Sequence, residues 1–340
     1  MPIVGLISHS GAARDVRRLT SLARTIDVHE RANVAARILA GLAATPDVCV
    51  RFLDEPTRIV ERALRMLAAQ ARAGPLDARP LGPLGARNAT DTRACSAALA
   101  LAGAECVITH GGDGTNRAVA SGWPDAVIVP LPGGTNNAFA TCVDPTAAGL
   151  AAGLYATDPQ RFASHVRGTT GLSIAVDGVA AETAIVDVAL VSDQWLGARA
   201  LWDPSHLLEA VVVGGDPSIP GLAGLAGILA PDVADHPDAV HLRFARQGRR
   251  ILAPLGPGQL VPVHIRDCRR VSRDETIELC GPGTLAFDGE RQVVLHDTQP
   301  ARIRLAAGAR VLDVAGVLRT HARHEAALTI GSRQTIQGGP

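Results

Sequence analysis

At 340 residues, with 47% hydrophobic and 19% charged side chains, the chain can bury enough apolar area to fold and is long enough for two domains. Its formal net charge is zero and all 33 basic residues are arginines scattered without a dominant block, which sets nucleic acid aside as a partner. The absence of lysine excludes a Walker A loop, a protein-kinase strand lysine and a pyridoxal Schiff base.

Residues 3–7 form a short β-branched run ending in Ser, His and Gly, the pattern of a first parallel strand that opens into a loop. Val34, Ile38 and Leu42 recur at helical spacing, and 59–67 repeats the pattern after Pro56, so two helices are expected. The Pro- and Gly-rich stretch 74–87 reads as a loop within the domain. Thr90 or Asp91 can cap a helix running to Ala102, and strands are expected at 106–109 and 126–131, each delivering the chain into a Gly-rich turn. Two such turns about twenty residues apart fit an open α/β sheet with its site at the carboxyl ends of the strands.

After residue 145 β-prone runs take over at 172–176, 184–191, 240–244, 277–279, 292–295 and 301–305, and 313–328 returns to helical spacing. The expected division is an α/β nucleotide-binding domain at 1–144, joined by 306–330, and a β-rich acceptor-binding domain at 145–305. Six cysteines without a CxxC pair read as small buried hydrophobes, and no run approaches the ~18 apolar residues of a membrane span. A cytoplasmic protein with no membrane insertion is expected.

Three motifs carry chemistry. In THGGDGTNR (109–117), Gly111, Gly112 and Gly114 remove three side chains around one carboxylate, so backbone N–H groups and a following helix N-terminus can approach an anion. Phosphate would repel Asp113, which therefore reads as a base that orients or deprotonates a hydroxyl, as an indirect metal ligand, or else as a brace of the turn. In LPGGTNNAFA (131–140), Gly134, Thr135, Asn136 and Asn137 offer neutral hydrogen-bonding groups suited to a nucleotide, or to capping a helix. In AFDGERQVVL (286–295), Asp288 and Glu290 flank a Gly; the pair can hold Mg²⁺ through waters, although DGE between two strands is by itself a hairpin turn.

GGDGT, then PGGTNNAFA, then DGE resembles the NAD kinase / diacylglycerol kinase superfamily. The stretch ARDVRRLTSLARTIDVHERANVAARIL and the later VSDQWLGARALWD are similar to its AcoX-like branch, named for acetoin catabolism protein X. The resemblance implies a Rossmann-like open parallel sheet with helices, followed by a β-rich, β-sandwich-like domain, with ATP and Mg²⁺ as cofactors. It implies that Gly111, Gly112, Gly114 and Thr115 hold the phosphates and that Asn116, Gly134, Thr135, Asn136 and Asn137 lie beside the nucleotide. Asp113 would serve the acceptor hydroxyl, with Asp288 and Glu290 supporting metal or catalysis. His9 stands near the place of an Asn in the family, and the Asn-Asn-Glu signature by which NAD kinases hold their dinucleotide is absent. The expected activity is phosphoryl transfer from ATP to a hydroxyl of a small soluble metabolite, in a homo-oligomer, dimer or tetramer. The alternatives are a lipid kinase and a catalytically silent nucleotide-binding regulator. Arg199, Trp202 and Asp203 are candidates for acceptor recognition.

Overall fold

The computed structural model describes residues 1–10, 21–22, 26–70, 76–193, 203–232 and 238–332. Five strands, β1 (Ile3–Ser8), β2 (Cys49–Phe52), β3 (Asp77–Pro80), β4 (Ala104–Gly111) and β5 (Val127–Pro132), lie parallel in the order β3-β2-β1-β4-β5. This Rossmann-type order reverses direction between β1 and β4, the point at which open α/β sheets bind ligands. Helices α1 (Val28–Ala43), α2 (Ile59–Gln70) and α5 (Pro145–Thr157) cover one face, where Ile38, Leu39 and Leu42 pack with Ala148, Ala151 and Ala152. A Cβ on Gly149 would run into the Ile38 carbonyl, so glycine is what lets α1 and α5 approach so closely. Leu99 of α3 (Ala89–Leu101) and Val119 of α4 (Asp113–Gly122) pack with Ile7, Val107 and Ile128 on the other face.

The sheet continues past the helical region. β15 (Pro300–Leu312) pairs parallel to β5 and antiparallel to β6 (Val166–Val176), which pairs with β7 (Val179–Ala184); β12 (Thr276–Cys280) also joins β15. The second sheet is antiparallel, in the order β11 (Gln259–Val271), β10 (Ala239–Gly256), β9 (Leu207–Val213), β8 (Asp187–Val191), β13 (Gly283–Phe287), β14 (Glu290–Leu295). Leu172, Ile174 and Ile303 of the first sheet pack against Val188, Val211 and Phe287 of the second, so the two form a sandwich, and α6 (Leu222–Leu229) covers the second sheet's outer face. Val314 and Val317 of α7 (Val314–Ser332) return to the first core. No helix among the described residues is long and apolar enough to cross a membrane.

Several local expectations change. The stretch 74–87, expected as a loop, contains β3, whose Pro80 is tolerated because β3 is an edge strand paired only with β2. Asn88, not Thr90 or Asp91, caps α3, in a reciprocal capping box with Asp91. The run 184–191 is two strands: between them the N–H groups of Ile185 and Val186 turn to the Asp288 carboxylate instead of a neighbouring strand. α5, which begins beyond the expected boundary at 144, belongs to the first core, and β6, β7, β12 and β15 extend the first sheet.

Candidate active site

The register of β4 against β5 pairs His110 with Leu131 and Gly111 with Pro132, so the two Gly-rich turns leave the sheet side by side. Gly133 donates its N–H to the Gly111 carbonyl at 2.9 Å. A Cβ on Gly133 would stand 2.8 Å from Gly111 N, and one on Gly134 would run into Gly112 Cα, so any side chain there would force the loops apart. The Asp113 carboxylate clamps the loops: Oδ2 accepts from Ala138 N–H at 3.0 Å and Oδ1 from Phe139 N–H at 2.9 Å. Asn137, at φ 52, folds its amide back onto Gly134, accepting at 2.7 Å and donating at 3.0 Å. Arg31, 1% exposed on α1, donates to the Gly133 carbonyl at 3.1 Å.

Helix α4 begins in the first loop with Gly112 as its N-cap, which has no side chain to satisfy the helix's leading N–H groups. Those donors and the positive end of the helix dipole face a cavity of about 120 Å³, lined by both loops and by the 288–290 turn.

Across the cavity, Asp288 and Gly289, at φ 49 and 79, form the turn between β13 and β14, the hairpin that DGE suggests. The Asp288 side chain is fully buried and accepts from three successive backbone N–H groups, those of Ile185 (3.1 Å), Val186 (2.8 Å) and Asp187 (3.2 Å). Burial pushes its carboxyl up to about 7, against the pull of Arg117 and of the Val186 and Asp187 amides. Arg117, 4% exposed on α4, reaches the hairpin: Nε lies 3.5 Å from Asp288 Oδ2 and Nη2 3.6 Å from Glu290 Oε2, with the guanidinium carbon 5.8 Å from the Phe287 ring centroid. Glu290 keeps 39% of its side chain exposed and lies against the first loop, where a Cβ on Gly114 would meet Oε1 at 3.2 Å.

The structure thus brings Gly112, Asp113, Gly114, Thr115, Gly134 and Thr135 around one cavity, joined there by Asn136, Asn137, Asp288 and Glu290. Others fall elsewhere. Gly111 lies beneath the Thr115 side chain, which leaves no room for a Cβ. Asn116 is fully buried, accepting from Thr109 Oγ1 at 2.6 Å and donating to the Gly112 carbonyl at 3.3 Å, and does not line the cavity. His9, 7% exposed, also lies outside the lining; burial lowers its pKa, with Glu55 opposing and Arg31 adding to the shift. Asp288 and Glu290, expected beside a metal, both face Arg117, and Asp288 also accepts the three backbone N–H groups. Asp113, expected as the base, has both oxygens on the second loop. Asp203 caps the 3-10 turn Pro204–His206, accepting from Ser205 N–H at 2.9 Å. Arg199 and Trp202 lie outside the described residues.

Sequence reasoning misses Arg117, Arg31 and Asp187, the last at the start of β8 in the cavity wall. For Arg117 a signal exists: a cation four residues after Asp113, beside Ala118 and Val119 on the buried face of the helix. For Arg31 and Asp187 there is none, since their partners come from distant segments.

The cavity fits a nucleotide's phosphates. A Cβ on Gly112 would stand 3.2 Å from Gly134 Cα, so glycine there lets the two loops and their backbone N–H groups lie close together at the cavity. For a divalent cation, no cluster of three or more His, Cys, Asp or Glu suited to one exists among the described residues. Glu290 is the exposed carboxylate beside the cradle that could contribute to holding such a cation.

Residues 81–165, which contain both Gly-rich loops, match the Diacylglycerol kinase catalytic domain, placing the chain in a kinase superfamily. Residues 170–308 match the Acetoin catabolism protein X C-terminal domain. The chain is 32% identical over 337 residues to Acetoin catabolism protein X of Cupriavidus necator, covering 95% of this chain and 93% of that protein. The chain therefore belongs to the acetoin catabolism protein X family. The crystal structure of yeast NADH kinase complexed with NADH aligns over 100% of this chain and 90% of that one, at 12% identity and a TM-score of 0.45.

Proposed function

We propose that the protein is an ATP-dependent kinase that phosphorylates a hydroxyl of a small soluble metabolite. The observation that carries this reading is the uncapped N-terminus of α4, set glycine-to-glycine against the second loop and facing Glu290 across one cavity. The name of the Cupriavidus necator relative ties that protein to acetoin catabolism, which supports a small metabolite as acceptor. The parallel part of the first sheet would be the nucleotide side, and the second sheet with α6 the acceptor side.

Backbone N–H groups of 112–114 would hold the phosphate oxygens, while Asp113 and Arg31 keep the two loops in register from behind. Glu290 would be the carboxylate that helps hold Mg²⁺, which would supply charge neutralisation to the phosphates. As the acceptor oxygen bonds to the terminal phosphorus and the bond from that phosphorus to the ADP oxygen breaks, the hydroxyl proton passes to Glu290. Glu290 suits this role because it alone of the three expected carboxylates is half exposed and bonded to no backbone amide among the described residues. Arg117 holds it in place.

Calorimetry of ATP·Mg²⁺ binding tests the cradle. Gly112→Val puts a branched side chain into the 3.2 Å gap to Gly134, and affinity should fall by at least about tenfold. Unchanged affinity would place the nucleotide elsewhere.

A further inference from the structure

Asn136 sits where the cradle cavity meets a second one. Asn136, Asp187, Gly221, Leu222 and Gly289 line both, and the second runs on to Leu255, Gly256 and Gln259 at the tip of the β10–β11 hairpin. The loop is tied down on either side of Asn136: Gly134 and Asn137 bond to each other, and Ala138 N–H donates to Asp113 Oδ2. The residue is thus presented from a fixed backbone. Its amide packs against the start of α6, where Gly221, at φ 99, leaves room for it: a Cβ there would stand 3.0 Å from Asn136 Nδ2. Within this setting Asn136 Oδ1 is buried and accepts no hydrogen bond among the described residues.

A buried carbonyl oxygen without a donor costs free energy unless a ligand completes the pairing. What lies beside it narrows the chemistry of that ligand. α6 begins at Gly221 with no side chain capping it, and Gly221, Leu222 and Ala223 line the cradle cavity, so leading N–H groups and the positive end of the helix dipole stand at the same wall. An acceptor and donors are therefore set side by side. A phosphate or carboxylate suits the N–H groups but meets the partial negative charge of Oδ1, and an ammonium suits Oδ1 but meets the positive end of the helix. A hydroxyl, which donates one hydrogen bond and accepts others, suits both. On the kinase reading, hydroxyls reach this junction from two sources, the ribose of ATP and the acceptor alcohol. We propose that Asn136 is a specificity-determining residue, whose Oδ1 accepts a hydrogen bond from a hydroxyl of the bound nucleotide or of the acceptor.

Two arms of one experiment distinguish the sources. Wild type, Asn136→Leu and Asn136→Ala, which remove the acceptor oxygen, and Asn136→Asp, which keeps one, are titrated calorimetrically with the Mg²⁺ complexes of ATP, 2′-deoxy-ATP and 3′-deoxy-ATP. ADP release is then followed with glycerol, erythritol and NAD as probe acceptors. If the ribose is read, wild type should bind one deoxynucleotide at least about tenfold more weakly than ATP, and Asn136→Leu and Asn136→Ala should bind the two equally. Asn136→Asp should keep the gap even as its charge weakens binding of both, a pattern that a merely structural role would not give. If the acceptor is read, the ratio of ATP to deoxynucleotide affinity should be the same in all four proteins. Asn136→Leu and Asn136→Ala should then lower kcat/KM for the probe that wild type phosphorylates by at least about tenfold, chiefly through KM. Equal ratios in all four proteins together with wild-type kcat/KM in the variants, or with no transfer to any probe, would overturn the proposal and leave the nucleotide site standing. Failure of wild type to bind ATP·Mg²⁺ at all would remove the kinase reading and the role of Asn136 with it.

Discussion

Replacing Asp113 with Asn separates two roles for the acidic residue in the first loop. Its carboxylate accepts the Ala138 and Phe139 N–H groups at 3.0 and 2.9 Å, tying the start of α4 to the second loop. Asn keeps one acceptor oxygen but turns an NH₂ group toward the other amide, so one charge-assisted hydrogen bond is lost and a partly buried N–H is left unsatisfied, together roughly 2–4 kcal/mol. For 340 residues at ~2.1 cal/mol/K each, the unfolding entropy is about 0.7 kcal/mol/K, and the melting temperature should fall by about 3–6 °C. Because the second loop is then no longer held against the cradle, ATP affinity should drop as well, by about tenfold. Scanning calorimetry of the variant, ATP titration and turnover give three readouts on one protein. A variant that melts and binds ATP like wild type but turns over about 10² to 10⁴ more slowly would make Asp113 the proton acceptor and refute the brace.

The same logic separates the other charged groups. Glu290→Gln should retain ATP binding within a few-fold while kcat falls by about 10² to 10⁴, since the amide keeps the shape and loses the base; near-normal kcat in a steady-state assay would move proton transfer to another group. Arg117→Met leaves two carboxylates facing an apolar chain, one of them fully buried, so destabilisation of about 3–5 kcal/mol is expected in denaturant titrations, and a loss below 1 kcal/mol would show that Asp288 needs no cation. Asp288 makes stability depend on pH. Its carboxyl is raised to about 7 in the fold against about 4 in the unfolded chain, so the folded state holds the extra proton in between. Stability should decline as pH rises from about 4 to about 7 and level off above, and Asp288→Asn should remove that slope; parallel melting-temperature profiles for the two proteins would contradict it.

What the sequence discloses is what neighbouring residues decide together. The first loop is legible because strand, glycines and helix start follow within a dozen positions, and the match of residues 81–165 to a kinase catalytic domain spans the same stretch. Three glycines announce close approach, but not to what: Gly134 is needed because of Gly112, a partner fixed only by the β4–β5 register. The DGE turn shows the limit. Its local reading, a hairpin, describes the backbone, whereas the role of Asp288 is set by three amides more than a hundred residues earlier. The same interaction hides the break within 184–191, where the residues are as β-prone as their neighbours. β3 escapes notice for the converse reason, because an edge strand tolerates the proline that argues against a central one.

The absence of lysine shapes how this chain can hold an anion. Among the described residues, Arg31 and Arg117 reach these loops; they are 1% and 4% exposed, one donating to the Gly133 carbonyl and the other facing the Asp288 and Glu290 carboxylates. They stand one layer behind the cavity and fix the positions of the groups that line it. On the kinase reading, the described part of the cradle would meet phosphate through backbone N–H groups, which carry no side-chain entropy and do not titrate. A cradle of this kind depends on geometry more than on charge. On that reading, loosening the glycine-to-glycine contact of the two loops or the Asp113 clamp should weaken nucleotide binding even though neither change removes a charge from the cavity wall.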